Sequence, residues 1–154
     1  MTTYFLDSSA LIKNYVIETG SAYIKSVISP TTGNAIAIAH ITLAEVTAGL
    51  ASKVRGQFLS QIDFEKAVKN ILDDTSKKFL IGAIDQRAIQ LAVALIRRHP
   101  LRGYDAVQLA SGLLLNEAIV AAAEQPLVFV TADKSLLAAA QAENLQTEDP
   151  NNHP

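Results

Sequence analysis

Thr3-Tyr4-Phe5-Leu6-Asp7-Ser8-Ser9-Ala10-Leu11-Ile12 is the stretch on which the fold turns. An aromatic and aliphatic run passes directly into an acid and two hydroxyls, and then into a Leu-Ile pair at helical spacing. This reads as a buried strand that delivers Asp7 to its carboxyl end, where a helix begins. In an open parallel sheet, ligands collect outside that edge. What the chain can do then depends on whether other acids reach equivalent places.

Outward from there, Ser8 to Tyr15 reads as a short helix, and Gly20 breaks the chain before a second helix over 21–29 that Pro30 closes. Ala35 to Ile41 is apolar, short and preceded by Gly33-Asn34, which predicts a buried strand. Thr42-Leu43-Ala44-Glu45 has the Thr-x-x-Glu form of a capping box and announces a helix reaching Gly56. A further helix over 59–75 carries Phe64, Val68, Ile71 and Leu72 on one stripe. Phe79 to Ile84 predicts a third strand, and Asp85 opens a helix to Arg98 that His99-Pro100 ends. Gly103-Tyr104-Asp105 begins a long helix over 106–123, stopped before Pro126. Leu127 to Thr131 reads as a strand, Asp133 to Glu143 as a helix, Leu145 to Thr147 as an edge strand, and 148–154 as a disordered tail. Strands alternating with helices predict one α/β domain over residues 1–147, a three-layer α/β/α sandwich around a mainly parallel sheet of four to five strands.

Composition agrees with one domain: 154 residues with 49% hydrophobic side chains build one sizeable core. There is no Cys, so disulfides and thiolate metal sites are excluded, and a cytoplasmic location is the default expectation. No secretory signal is visible. The uncharged run from Ser26 to Ala44 is broken by Pro30, Gly33 and Asn34, so it is not read as a membrane span. The net charge of −2 argues against a protein that coats nucleic acid. With four of the 15 acids neutralised by metal, however, the balance against 13 basic residues becomes 13 − 11 = +2, and phosphate is no longer repelled.

Four acids fall at strand ends or helix starts: Asp7, Glu45, Asp105 and Asp133. Singly, each has an innocent explanation, because acids at helix N-termini cap free N–H groups, and the capping box with Thr42 would account for Glu45 completely. Together they do not. A parallel sheet puts every strand's carboxyl end on one edge, and carboxylates ~4 Å apart repel by on the order of 4 kcal/mol per pair at an effective dielectric of about 20. A bound divalent cation gives a reason to accept that cost, and all-oxygen ligation favours Mg²⁺ or Mn²⁺ over zinc.

FLDSSALI at the start, TLAEV after the second strand, YDAVQLA and then FVTADKSLLAAA together make the chain, from Thr3 to Thr147, resemble the PIN domain family, and within it the VapC-type toxin ribonucleases. The resemblance implies strand order 3-2-1-4-5, with Asp7 and Asp133 flanking the crevice between strands one and four. It maps the family's acidic quartet onto Asp7, Glu45, Asp105 and Asp133, as catalytic residues that hold one or two Mg²⁺ or Mn²⁺ ions. Ser8 or Ser9 and Thr131 fall at its hydroxyl positions, suited to orienting water or carboxylates. Glu45 is left as ligand, base or outer partner. The implied activity is metal-dependent endoribonuclease cleavage of RNA by activated water, as the toxin of a type II toxin–antitoxin pair. A small antitoxin partner and a homodimer are implied with it. One departure is an apolar extension from Ala118 to Ala123 before Pro126.

Arg97, Arg98 and Arg102, with Lys77 and Lys78, are candidates for phosphate contact or for a solvated basic face. Tyr104 is a candidate base-stacking residue. His40 at the end of the second strand reads as a strand-end histidine rather than a ligand, and His99 and His153 give no pair at ligand spacing. A haloacid-dehalogenase-like phosphatase would place an Asp where Ser9 stands, and a P-loop would need Gly and Lys after the first strand. The alternative from another class is a catalytically weak PIN-like domain serving as an RNA- or protein-binding module; loss of one acid would be its mark, and all four are present.

Overall fold

The alternation of strand and helix becomes a five-stranded parallel sheet in the computed structural model, which describes residues Met1 to Pro154. Its strands are β1 (Thr3–Leu6), β2 (Ala35–Ala39), β3 (Phe79–Gly82), β4 (Val128–Val130) and β5 (Gln146–Glu148), in the order β3-β2-β1-β4-β5. In register, Phe5 lies beside Ala37 on one side and Phe129 on the other. The chain leaves β1 toward β2 and returns much later to β4, so the order reverses at β1. That reversal opens the crevice at the carboxyl edge.

Successive strand residues point to opposite faces, and the sequence uses both. Leu6, Ile36, Ile38 and Val130 face a layer made by α1 (Ser8–Leu11), α2 (Ser21–Ile28), α3 (Thr42–Arg55) and α4 (Gln61–Lys77). Phe5, Ala37, Ala39 and Phe129 face α5 (Gln86–Arg98), α6 (Gly103–Ala121) and α7 (Lys134–Ala142). The Phe5 and Phe129 rings stack at 5.3 Å with 9° between their planes. α6 crosses directly over this pair at Gly112, where a Cβ would stand 2.8 Å from the Phe129 ring. No helix is long and apolar enough to cross a membrane.

Two expectations are corrected. The helix expected to reach Tyr15 is one α turn followed by a 3-10 turn over Ile12–Asn14. The segment after Thr147, expected to be disordered, is built into the structure. Glu148 completes β5, Pro150–Asn152 form a 3-10 turn, and the His153 ring stacks on Tyr23 at 4.0 Å. Pro150 is buried over Gly20, where a side chain would run into the Pro150 carbonyl. The partner that orders this polar segment lies some 130 positions earlier, which composition alone does not reveal.

Candidate active site

β1 is apolar because it lies at the centre of the sheet, and its direction carries the next residue, Asp7, to the carboxyl edge. Asp7 caps α1, accepting from the Ala10 N–H at 2.9 Å. It is only 3% exposed. Ser9 donates to both its carboxylate oxygens at 2.8 and 3.0 Å, and Thr131, just past β4, donates to Oδ2 at 2.7 Å. Burial pushes the Asp7 carboxyl up to about 6. The hydrogen bonds from Thr131, Ser9 and Ala10 pull it down, and the neighbouring charge of Glu45 adds a further upward push.

Glu45 is not explained by a capping box. α3 begins one position differently from that pattern: Ile41 stands at the N-cap without a side-chain bond, and Thr42 is already the first helical residue. The Thr42 hydroxyl instead meets Gln108 on α6, which donates to it at 2.9 Å. Glu45 therefore turns to the crevice, where it accepts from Gln108 Nε2 at 2.7 Å and from Ser8 Oγ at 3.1 Å. Gln108 is not among the residues that the sequence singles out. The signal for it is its place one helical turn after Asp105, on the same face of α6.

Asp105 lies in the first turn of α6 and Asp133 is the N-cap of α7, its Oδ1 accepting from the Leu136 N–H at 2.9 Å. The Asp133 N–H donates to Thr131 Oγ1, so Thr131 ties Asp133's backbone to Asp7's carboxylate. Arg102 spans the two outer acids, with Nε 3.1 Å from Asp105 Oδ2 and a terminal nitrogen 3.8 Å from Asp133 Oδ2. Asp105 beside it raises the Arg102 pKa further, with Asp133 and Glu45 contributing.

Asp7, Ser8, Ser9, Glu45, Asp105, Thr131, Asp133 and Arg102 are thus linked at one edge by hydrogen bonds and charge. The other basic candidates are not. Arg98 pairs with Glu143 at 3.0 Å beside His99, Arg97 is exposed at the end of α5, and Lys77 and Lys78 pair within α4 and its end with Asp73 and Asp74. Tyr104 is exposed and lines an apolar groove with Ile41, Ile89 and Val93. The His40 ring is exposed.

No three of the acids stand close enough together to enclose one ion. The donor set nonetheless suits a hard divalent cation: carboxylate and hydroxyl oxygens only, and a guanidinium lying between two of the acids as a positive stand-in.

No family model matches the chain. Ribonuclease VapC45 of Mycobacterium tuberculosis (strain CDC 1551 / Oshkosh) is 31% identical over 120 residues, covering 76% of this chain and 79% of that protein. Ribonuclease VapC49 of strain ATCC 25618 / H37Rv matches to the same extent. Among solved structures, PAE2754 from Pyrobaculum aerophilum superposes with a TM-score of 0.64 at 21% identity, covering 98% of this chain and 85% of that one. A toxin-antitoxin complex from Klebsiella pneumoniae gives 0.63 at 20% identity, covering 96% and 97%. These two carry the fold, and the mycobacterial proteins carry the sequence relationship. Because that relationship runs through most of both chains and the backbone agrees with it independently, the chain belongs to the VapC family of PIN-domain ribonucleases.

Proposed function

We propose that the chain is a metal-dependent endoribonuclease that cleaves RNA phosphodiesters in the cytoplasm as the toxin of a type II toxin–antitoxin pair. The observation that supports this most is Asp7, an acid buried close to a second acid and paired with no cation. Burial of a charge without a counter-charge is destabilising, and a neutral Asn or Ser would cap α1 as well as Asp7 does. A cation-binding task accounts for the charge.

Asp7, Glu45, Asp105 and Asp133 would hold Mg²⁺ or Mn²⁺. When bound, such an ion supplies a water of lowered pKa and positive charge against the developing charge on the phosphate and the leaving oxygen. The chain's own residues prepare the place. Ser9 and Thr131 fix the Asp7 carboxylate, while Ser8 and Gln108 fix that of Glu45, so neither acid needs to reorganise. Glu45 can serve as ligand or as proton acceptor. Arg102 at the mouth offers a guanidinium to a phosphate, and the exposed Tyr104 a ring to a base. An antitoxin and a second copy of the chain are the partners that the family implies; the Klebsiella pneumoniae neighbour is itself a toxin-antitoxin complex.

The test is cleavage of single-stranded or loop RNA, including transfer RNA. It is expected to be abolished by EDTA, restored by Mn²⁺ or Mg²⁺, and lost in Asp7→Asn, Asp105→Asn and Asp133→Asn without unfolding. The fragments should carry 5′-phosphate and 3′-hydroxyl ends, since metal-activated water needs no 2′-hydroxyl nucleophile. Fragments ending in 3′-phosphate, or cleavage that survives EDTA, would overturn the mechanism. Metal-stimulated RNA binding with no cleavage of any RNA would favour the binding-module reading.

A further inference from the structure

Arg102 is the one cation that reaches the acidic edge: no other Lys, Arg or His forms an ion pair with Asp7, Glu45, Asp105 or Asp133. Its two contacts, at 3.1 Å to Asp105 Oδ2 and 3.8 Å to Asp133 Oδ2, put the guanidinium between the two carboxylates, the place that an ion held by both would take. Fixed and movable parts are unevenly shared. Asp105 and Asp133 have side chains 16% and 31% exposed, and Asp133 is further held by its cap bond to Leu136. The Arg102 side chain is 82% exposed, so no packing resists its leaving. It also stands just ahead of the first turn of α6, with Gly103 next in the chain and open space around that glycine. A side chain there can swing outward without disturbing the core.

A guanidinium and a divalent cation repel each other, so the two do not stand together between the same pair of carboxylates. We propose that Arg102 is a resident counter-ion which an incoming divalent cation displaces from Asp105 and Asp133, and that the displaced guanidinium then takes a phosphate of the RNA. Metal loading and RNA binding are thereby coupled through one side chain. Coupling of this kind is reciprocal: RNA that captures Arg102 removes the metal's competitor and so tightens metal binding. The inference rests on the reading of the four acids as the metal site, and it adds an order of events, with the guanidinium leaving before the ion is fully held.

The experiment uses the full chain as wild type, Arg102→Gln and Lys134→Gln. Lys134 follows Asp133 directly and is exposed, so its substitution removes the same charge without removing an ion pair to the acids. Mn²⁺ affinity is read from the electron paramagnetic resonance signal of the free ion. Arg102→Gln is expected to bind Mn²⁺ roughly fivefold tighter than wild type, the scale of an exposed ion pair lost as competitor, and Lys134→Gln to match wild type. Binding of a phosphorothioate RNA, followed by fluorescence anisotropy, should gain less from Mn²⁺ in Arg102→Gln than in wild type. Thermal melts check that the variants fold. If wild type binds Mn²⁺ and Arg102→Gln binds it no tighter than Lys134→Gln does, the displacement is wrong and the metal site stands. Tighter Mn²⁺ binding with an undiminished RNA gain overturns the transfer of Arg102 to phosphate. A wild-type protein that ignores millimolar Mn²⁺ overturns both the inference and the site reading beneath it.

Discussion

Burial pushes Asp7 from 3.8 up to about 6 in the folded protein, whereas the unfolded chain keeps the ordinary carboxylate value. Between roughly pH 4 and pH 6 the folded state therefore holds a proton that the unfolded state has released. Stability from this group is greatest at acid pH, falls as pH rises through that window, and is level above it. In EDTA the loss between pH 4 and 7 is expected to be on the order of 3 kcal/mol. Denaturant unfolding of wild type and Asp7→Asn across that range isolates it, because the amide has no proton to lose. Parallel profiles would place the proton on another group. Glu45 and Gln108 give a second residue-level expectation. With no capping box to preserve, Glu45→Gln should keep stability within about 1 kcal/mol and lose cleavage, whereas Gln108→Ala removes the partner that holds Glu45 and should weaken metal binding ~10- to 100-fold. Titration calorimetry with Mn²⁺ separates the two.

At the scale of the element, α6 does the most positioning: it carries Asp105 and Gln108 to the crevice and lies against the stacked pair Phe5–Phe129. Gly112 makes that approach possible. Gly112→Ala gains about 1 kcal/mol of helix propensity but drives a methyl into a fully buried ring 2.8 Å away, and overpacking costs about 1–3 kcal/mol. A lowered melting temperature is expected. At the other end the helix stops through Ala123 at φ 61°. Glycine adopts that conformation freely, so Ala123→Gly should stabilise by roughly 1 kcal/mol. Much of this architecture is legible beforehand, because Gly, Pro and Asn mark where strands and helices break and apolar runs mark which segments are buried. Side-chain partners are less so. Thr42 and Glu45 satisfy a local pattern in sequence, yet in the fold both turn to Gln108, more than 60 positions away. Arg102 reads as one of a basic group, and only the start of α6 separates it from Arg98, whose charge is spent on Glu143. Short-range rules describe neighbours along the chain, and these contacts lie across it.

For the whole molecule, a ligand that binds only the folded state stabilises it by mass action, by about 2.7 kcal/mol at a hundred times its dissociation constant. Mn²⁺ is expected to raise the melting temperature of wild type by several degrees and that of Asp7→Asn much less. Indifference of wild type would mark the acids as helix caps. Assembly carries a further expectation. The 2.7 Å bond between Asp7 and Thr131 joins residues 124 positions apart, and β1 needs β4 as its sheet neighbour. A ribosome makes Asp7 early and Thr131 late. Chains arrested on the ribosome at increasing lengths should stay open to protease around residues 7–15 until β4 and β5 have emerged, and protection in shorter chains would show that the first half folds alone. A nascent chain that is still unprotected has no assembled cutting edge, so its danger to the RNA around it begins only once β4 has emerged and paired with β1.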